Sequence, residues 1–209
     1  MVTQVEKPVQ VDKSVASAET KLYSPEEYLE MEVLSEERHE YRDGEIIPMT
    51  GGRPNHNQAA GNVYATLNFE FRGKPYQAFI TDQRLWIPKK RLYTYPDVMV
   101  MQSPVELQPG RQDTVMNPLV IIEVLSNSTA EYDRQEKFRA YRTIPTFHEY
   151  LLIDQYSQHI EHYVKVGAKK WDFQEYDETD MVVKLGTIDL ELAIADIYDK
   201  VSFEVEEIE

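Results

Sequence analysis

The sequence predicts an α/β domain in which a mixed central sheet is flanked by helices, with additional antiparallel strands at the C-terminal end. Two apolar runs, 118–125 and 147–154, lie on either side of a helical segment at 130–143. This strand–helix–strand order is typical of neighbouring parallel strands joined by a crossover. Alternating apolar residues between 159 and 176, with a turn at Gly167, indicate an antiparallel hairpin. The two patterns together predict a sheet with both kinds of strand pairing.

One carboxylate interrupts the most apolar of these strands. Glu123 stands among the Val, Ile and Leu residues of the run 118–125. An ionised carboxylate that is buried without a partner costs several kcal/mol. We therefore expect a cation, a proton or hydrogen-bond donors to meet Glu123 inside the protein.

Length and composition predict a single domain. The chain has 209 residues, and we place the folded domain at 21–203, between a polar N-terminal arm at 1–20 and an acidic tail at 204–209. No apolar stretch is long enough to span a bilayer, and the N-terminus lacks the apolar segment of a signal peptide. We expect a cytoplasmic protein without a membrane partner. The absence of cysteine excludes disulfides, thiolate metal sites and thiol catalysis.

The charge balance is strongly acidic. Lys and Arg number 22 against 37 Asp and Glu, which gives a formal net charge of -15. Such a charge repels polyanions at long range and argues against a non-specific nucleic-acid binder. It does not exclude an enzyme that meets phosphates through a divalent cation and a local basic patch, because contact energies depend on charges within about 8 Å at physiological salt.

The N-terminal half contains two helix signals and one hairpin signal. Ser24-Pro25-Glu26-Glu27 combines a cap residue, an early proline and a glutamate three residues on, which is typical of a helix start. Asp43-Gly44 predicts a hairpin whose first strand carries Glu40. Apolar residues at helical spacing predict a long helix at 54–72, with His56 in its first turn.

Between this helix and the central run we expect three strands and a loop. The strands are predicted at 76–82, 85–87 and 95–101, and the loop at 103–117. Because side chains alternate along a strand, Asp97 should share one face with the residues two and four positions later.

Asp97 and Glu123 therefore lie on consecutive long strands. If these strands pair, both carboxylates point to the same side and can supply oxygen ligands to one Mg²⁺, which takes one or two carboxylates plus waters and substrate phosphate. The alternative is that Asp97 caps a turn and Glu123 pairs with an Arg or Lys in the core. The residues alone leave both interpretations open.

A lysine follows on the next helix. Lys137, Tyr141 and Ile144 fall at i, i+4 and i+7, so Lys137 lies on or beside the stripe that faces the core. Its ammonium would reach the end of the Glu123 strand, where it could orient a water or offset the charge of a phosphorus transition state. The alternatives are a salt bridge to Glu123 or a lysine that snorkels to the surface.

In this order the residues resemble the Uma-type (Uma-two) family of restriction endonucleases, a branch of the PD-(D/E)XK nuclease superfamily. The resemblance extends from about Tyr23 to the final strand. It rests on Pro96-Asp97, Glu123-Val124-Leu125-Ser126, Asp133, Lys137, Tyr141 and Pro145-x-x-x-x-Tyr150.

The resemblance implies a restriction-endonuclease-like core and hydrolysis of DNA phosphodiester bonds. Asp97, Glu123 and the carbonyl of Val124 would hold Mg²⁺ or Mn²⁺. The superfamily pattern expects a lysine two residues beyond Glu123, where this chain has Leu125. The family account places that lysine on the next helix, which points to Lys137.

Two upstream residues also match recurring family positions. Glu40 would be a further metal ligand or an acceptor behind the ligands, with exposure at the edge of the hairpin as the alternative. His56, near a helix N-terminus, would contact a phosphate or a metal-bound water, with an ordinary cap or core hydrogen bond as the alternative.

The function predicted from the resemblance is that of a metal-dependent endonuclease with DNA as partner, assembled as a homodimer. The first alternative is a catalytically inactive protein that keeps the nuclease fold and binds nucleic acid or protein, which the acidity and the missing motif lysine favour. A structural homo-oligomer built through the aromatic C-terminal sheet is the second alternative.

Overall fold

The structure is a computed structural model that describes residues 21–178 and 180–203. The predicted arm at 1–20 and tail at 204–209 lie outside the described residues. None of the helices in the described part of the chain is long and apolar enough to cross a membrane.

The helices are α1 (Pro25–Leu34), α2 (Pro54–Glu70), α3 (Ala130–Tyr132), α4 (Phe138–Tyr141) and α5 (Ile194–Ile197), with a 3-10 turn at Pro88–Lys90 and a π-helical segment at Asp133–Lys137. The strands are β1 (His39–Arg42), β2 (Glu45–Pro48), β3 (Tyr76–Ile80), β4 (Arg84–Ile87), β5 (Leu92–Thr94), β6 (Val98–Gln102), β7 (Thr114–Val115), β8 (Pro118–Leu125), β9 (Glu149–Asp154), β10 (Ile160–Gly167), β11 (Lys170–Tyr176), β12 (Val182–Leu185) and β13 (Leu190–Ala193).

The central sheet has the order β11-β10-β9-β8-β6-β3. Strands β8 and β9 are parallel, and Glu123 is opposite Leu152 in their register. The other pairs are antiparallel, including β6 with β8, where Val98 is opposite Ile122. The mixed α/β sheet predicted from the sequence is confirmed, and β8 lies inside it with a neighbour on each side.

The two faces of β8 enter different parts of the core. Val120 and Ile122 belong to a cluster that also contains Val63 and Leu67 of α2. Ile121, one position out of phase, belongs to a second cluster with residues of the segment 130–144. Because strand residues alternate faces, Glu123 points toward the second cluster. The segment that carries Lys137 covers that same face.

The segment after β8 differs from the single helix predicted at 130–143. It begins as α3, passes through the π-helical segment and ends as α4. π-helical turns occur frequently at functional sites. The residues at both ends of this turn, Asp133 and Lys137, are buried, and the hydroxyl of Tyr150 donates to the carbonyl of Asp133 at 3.1 Å. The turn is therefore packed against the central sheet.

A second sheet, ordered β2-β1-β5-β4-β7, lies beside the central one. Helix α1 packs on it through Tyr28, which contacts the fully buried Tyr41 and Tyr93. The predicted start of α1 is confirmed, because Ser24 and Glu27 form a capping box. Strand β1 has neighbours on both sides, so Glu40 is buried, with 5% of its surface exposed. Exposure of Glu40 at a hairpin edge is thus excluded.

Several short elements were not predicted. Strands β5 and β12 were not predicted from the sequence. The loop predicted at 103–117 contains β7, whose two residues are buried and pair with β4. The strand expected at 95–101 begins only at Val98, which leaves Asp97 just before it. Strand β7 depends on pairing with the distant β4, whereas β12 pairs with the neighbouring β13 and β5 lies between the neighbouring β4 and the distant β1.

The position of β8 generates a stability prediction. The Ile121→Ala variant should lose about 2–5 kcal/mol of unfolding free energy, because Ile121 is fully buried and truncation leaves a cavity. Urea denaturation followed by circular dichroism measures this loss. Val33→Ala in α1, where 62% of the side chain is exposed, is the control and should change the free energy by less than about 0.5 kcal/mol. Equal losses in the two variants would contradict the central position of β8.

Candidate active site

Two carboxylates lie side by side where β6 begins and β8 ends. The backbone N–H of Asp97 donates to Glu123 Oε2 at 3.2 Å, and the backbone N–H of Val124 donates to Asp97 Oδ2 at 2.8 Å. The antiparallel pairing of β6 with β8 produces this arrangement, because it places Asp97 close to the C-terminal half of β8. Each carboxylate is thus fixed by the backbone of the other strand.

Lys137 joins the same cluster from above the sheet. Its Nζ donates to Glu123 Oε1 at 3.1 Å. It also lies 3.1 Å from Asp133 Oδ1 and 3.7 Å from Glu40 Oε1. The hydroxyl of Tyr141 donates to Glu123 Oε1 at 2.6 Å. The partner that the buried Glu123 requires is therefore a lysine, assisted by a tyrosine and a backbone amide.

The charge states follow from burial and from these partners. Burial raises the pKa of Glu123 above its usual value, and the nearby Lys137 opposes this shift without cancelling it. Burial alone would lower the pKa of Lys137, but the charges of Glu123, Asp133 and Glu40 raise it well above the usual range. Lys137 is consequently a permanent cation surrounded by acidic groups.

Glu40 comes from the second sheet and is held on both oxygens. Its Oε2 accepts from Arg42 Nη2 at 2.8 Å and from Nε at 3.1 Å, and its Oε1 accepts from the hydroxyl of Thr94. Burial raises the pKa of Glu40, but Lys137, Thr94 and Arg42 outweigh that effect, so the pKa is lower than usual. The Arg42 guanidinium lies 3.5 Å from the centre of the Tyr132 ring. Glu40 is therefore an ionised acceptor behind Lys137.

His56, in the first turn of α2, contacts the other carboxylate. Its Nε2 lies 3.2 Å from Asp97 Oδ2. Burial lowers the pKa of His56, but the hydrogen bond to Asp97 and the charge of Asp97 outweigh burial and raise it. The structure thus brings together Asp97, Glu123, Lys137, Glu40 and His56, the side chains that the sequence predicted for the site.

Asp97, Glu123, Lys137 and His56 line a cleft with a volume of about 840 Å³, and Glu40 lies behind its wall. Two additional cations, Arg38 and Arg53, line it together with Val124 and the polar segment 126–129 that follows β8. The first turn of α2 contains no acidic residue. The cleft is open to solvent and has room for a phosphodiester group beside the carboxylates.

The side chains at the cleft limit the kind of metal site that they could form. Within the residues that the structure describes, no three His, Asp or Glu side chains are arranged to hold a metal ion between them. This excludes a cage made only of such side chains. Mg²⁺ needs only one or two carboxylates and keeps several waters, so Asp97 and Glu123 are the two side chains that could hold it. Val124 and His56 both contact Asp97 through Oδ2, and in the described part of the chain Oδ1 makes no hydrogen bond.

Sequence reasoning assigned no separate role to Asp133 and Tyr141, although their spacing contains the signal. They stand four residues before and four residues after Lys137, so all three lie on one helical face. Arg42 stands two residues after Glu40 on the same strand, so alternation places both on one face. Its contact with Tyr132 depends on how the second sheet packs against the segment after β8, which a single sequence does not reveal.

The family model described as "Uma2: Putative restriction endonuclease" matches residues 25–195. The chain belongs to the Uma2 family. The matched range contains the complete cluster from Glu40 to Tyr141. Membership in the Uma2 family confirms the resemblance that the ordered motifs predicted.

Two similar proteins come from Synechocystis sp. (strain ATCC 27184 / PCC 6803 / Kazusa). "Uncharacterized protein sll1609" is 44% identical over 154 residues, which is 74% of this chain and 87% of the relative. "Uncharacterized protein slr1290" is 34% identical over 180 residues, which is 86% of this chain and 93% of the relative. The similarity therefore extends over most of each protein.

A solved structure supports the fold. The crystal structure of a putative nuclease belonging to DUF820, from Anabaena variabilis ATCC 29413, matches with a TM-score of 0.67 and 20% sequence identity. The match covers 84% of this chain and 97% of that chain. At this identity the likeness shows the fold alone. The restriction-endonuclease-like fold expected for a Uma2 protein, with its additional antiparallel strand pair β12–β13, is confirmed.

A glycine next to the site provides a test of its geometry. A Cβ added to Gly52 would lie 2.7 Å from His56 Nδ1 and 2.5 Å from Asn57 Oδ1, so Gly52→Ala should push the imidazole away from Asp97. The pKa of His56 should then fall, because burial lowers it and the contact with Asp97 is what raises it. An NMR titration of the ring protons measures the shift.

The neighbouring glycine supplies the matched control. A Cβ on Gly51 would meet no atom within 4 Å, so Gly51→Ala should leave the pKa of His56 unchanged. If Gly52→Ala also left the pKa of His56 unchanged, the inference that Gly52 leaves the space His56 needs to contact Asp97 would be wrong.

Proposed function

We propose that this chain is a metal-dependent endonuclease that hydrolyses DNA phosphodiester bonds. Family membership supports a nuclease in general, and the proposal adds the metal and the substrate. The observation that carries it is the convergence of Asp97, Glu123 and Lys137 from three separate elements into one open cleft. Ion pairs that only stabilise the fold would not need to lie beside an open cleft.

Asp97 and Glu123 would bind Mg²⁺ or Mn²⁺ together with the carbonyl of Val124, which lines the same cleft. The ion would lower the pKa of a bound water and polarise the scissile phosphate. The fixed position of each carboxylate on the backbone of the opposite strand keeps the ligand pair in place before any ion arrives. Such preorganisation reduces the free-energy cost of binding.

Lys137 would stabilise the negative charge that develops on the phosphate during hydrolysis. Its contacts with Glu40 and Asp133 keep the ammonium charged and aimed at Glu123. The residue at the motif position, Leu125, is buried in the core cluster beneath this helical segment. The helix therefore offers the ammonium that the strand lacks.

Glu40 and His56 would act as positioning groups. Glu40 contacts Lys137 and Arg42 and does not line the cleft that contains the carboxylate pair, which suits an acceptor behind Lys137 better than a direct metal ligand. His56 would orient Asp97 through Nε2 and, at the first turn of α2, lies where a phosphate would approach. A homodimer, with one site for each strand of a duplex, remains a prediction that light scattering would test.

A protein that keeps the nuclease fold and only binds its partner is the second candidate. The described residues contain no three-residue metal cluster, and Lys137 already neutralises Glu123 in this structure. Both observations favour it. The two candidates differ in metal binding and in cleavage.

The first experiment measures cleavage of plasmid and single-stranded DNA in the presence of Mn²⁺. The Asp97→Asn variant should cleave about a hundredfold or more slowly than the parent, because it loses one anionic ligand while keeping the shape of the side chain. The melting temperature should change little. Asp172→Asn, an exposed carboxylate on β11, is the control and should cleave at the parental rate. Parental activity in Asp97→Asn would refute the assignment.

The second experiment titrates Mn²⁺ into the protein by calorimetry. The parent should bind one ion at sub-millimolar concentration, and Glu123→Gln should weaken binding by about tenfold or more, because a neutral amide is a poor ligand for a hard cation. Asp172→Asn again serves as the control. Absence of binding by the parent at millimolar Mn²⁺ would favour the non-catalytic candidate.

A further inference from the structure

A second, smaller cavity lies next to the cluster around Lys137. Its volume is about 260 Å³, and three cations line it: Arg42, Lys90 and Arg139. The ring of Tyr132 forms part of the same wall. The cavity collects these cations from three different elements, although the chain as a whole carries a net charge of -15.

Arg42 connects this cavity to the candidate active site. It donates to Glu40 Oε2, while Glu40 Oε1 lies 3.7 Å from Lys137 Nζ. The ring of Tyr132 is contacted from both sites, by the guanidinium of Arg42 at 3.5 Å and by Lys137 Nζ at 5.6 Å. The two cavities are therefore separated by the width of a few side chains, which is within the reach of neighbouring phosphates of one DNA strand.

The charges in the cavity are unequally compensated. Arg42 is paired with Glu40, and Asp43 is paired with Arg91 at 2.6 Å. Lys90 and Arg139 are exposed and make no ion pair within the described residues, and the same is true of Glu136. Judged by the described part of the chain, the cavity thus presents two unpaired cations, Lys90 and Arg139, and one unpaired carboxylate, Glu136, to a ligand.

We propose that this cavity binds a backbone phosphate of DNA that flanks the phosphodiester group in the cleft. The inference rests on the proposed function and extends it to a second subsite. The stacking of Arg42 on Tyr132 fixes the guanidinium, which lowers the entropy cost of holding an anion. Lys90 and Arg139 supply the mobile cations that contact phosphate without reading sequence. Glu136 opposes binding and keeps the affinity moderate.

The test measures binding of a fluorescent DNA duplex by anisotropy at several salt concentrations. It uses the full chain carrying Asp97→Asn, so that the duplex stays intact. Adding Lys90→Ala and Arg139→Ala should raise the dissociation constant about tenfold at low salt. The slope of log affinity against log salt should become shallower by about one to two. Binding releases fewer counterions from the DNA when the protein makes fewer phosphate contacts. The effect should be the same for unrelated duplex sequences.

Two further variants sharpen the result. Glu136→Gln should change affinity in the opposite direction and tighten binding several-fold, because it removes the one free carboxylate of the cavity. Arg72→Ala with Lys74→Ala removes the same charge at the far end of α2, a helix of 17 residues that is about 25 Å long. This pair is the matched control and should change neither affinity nor slope appreciably.

The outcomes separate this inference from the proposed function. If Lys90→Ala with Arg139→Ala behaves like the control pair while Asp97→Asn abolishes cleavage, the subsite is wrong and the endonuclease proposal stands. If the Asp97→Asn protein binds no duplex even at low salt, both the subsite and the assignment of DNA as the substrate are wrong. Loss of affinity with an unchanged slope would indicate a structural effect and would also overturn the subsite.

Discussion

The buried carboxylate of Glu123 is the constraint on which the rest of the site depends. It lies in an interior strand, with 2% of its surface exposed, and cannot remain there without donors. Three groups meet it: the ammonium of Lys137, the hydroxyl of Tyr141 and the backbone N–H of Asp97. Each comes from a different turn of the chain. The hydrogen bonds of this one carboxylate therefore fix the position of the segment that carries Lys137 and Tyr141, and of Asp97 just before β6.

Buried charge of this kind gives little net stability. Pairing in the interior roughly offsets desolvation, and apolar residues of similar volume are often as stable or more so. Lys137 moreover has more acidic neighbours than one ion pair requires, namely Glu123, Asp133 and Glu40. Such a concentration of acidic groups around one ammonium, beside an open cleft, agrees better with a site that handles an ion or a phosphate than with a device for stability. Perturbed carboxylates and lysines cluster at functional sites for the same reason.

The sequence revealed the parts of this arrangement that depend on local periodicity. The apolar run of β8, the need of Glu123 for a partner and the inward position of Lys137 all follow from spacing along one segment. Strand β7 exists only because the distant β4 pairs with it, so no local pattern predicts it. Strands β5 and β12 pair with neighbours along the chain, β4 and β13, but with three and four residues they are too short to show a clear periodicity. The burial of Glu40 depends on β1 having β5 as a second neighbour. The contact of His56 with Asp97 depends on the path of the loop before α2, which periodicity does not describe.

The position of Leu125 shows how the fold brings a cation to Glu123. It lies two residues beyond Glu123 and thus on the same face of β8, where it packs in the core beneath the segment that carries Lys137. A lysine at position 125 would direct its ammonium toward Glu123 along the strand. Lys137 directs its ammonium toward Glu123 from the helical segment above. The requirement is the location of the charge, and the elements around β8 can meet it in either way. The segment that covers Leu125 thus brings a cation to Glu123 although the strand itself carries none.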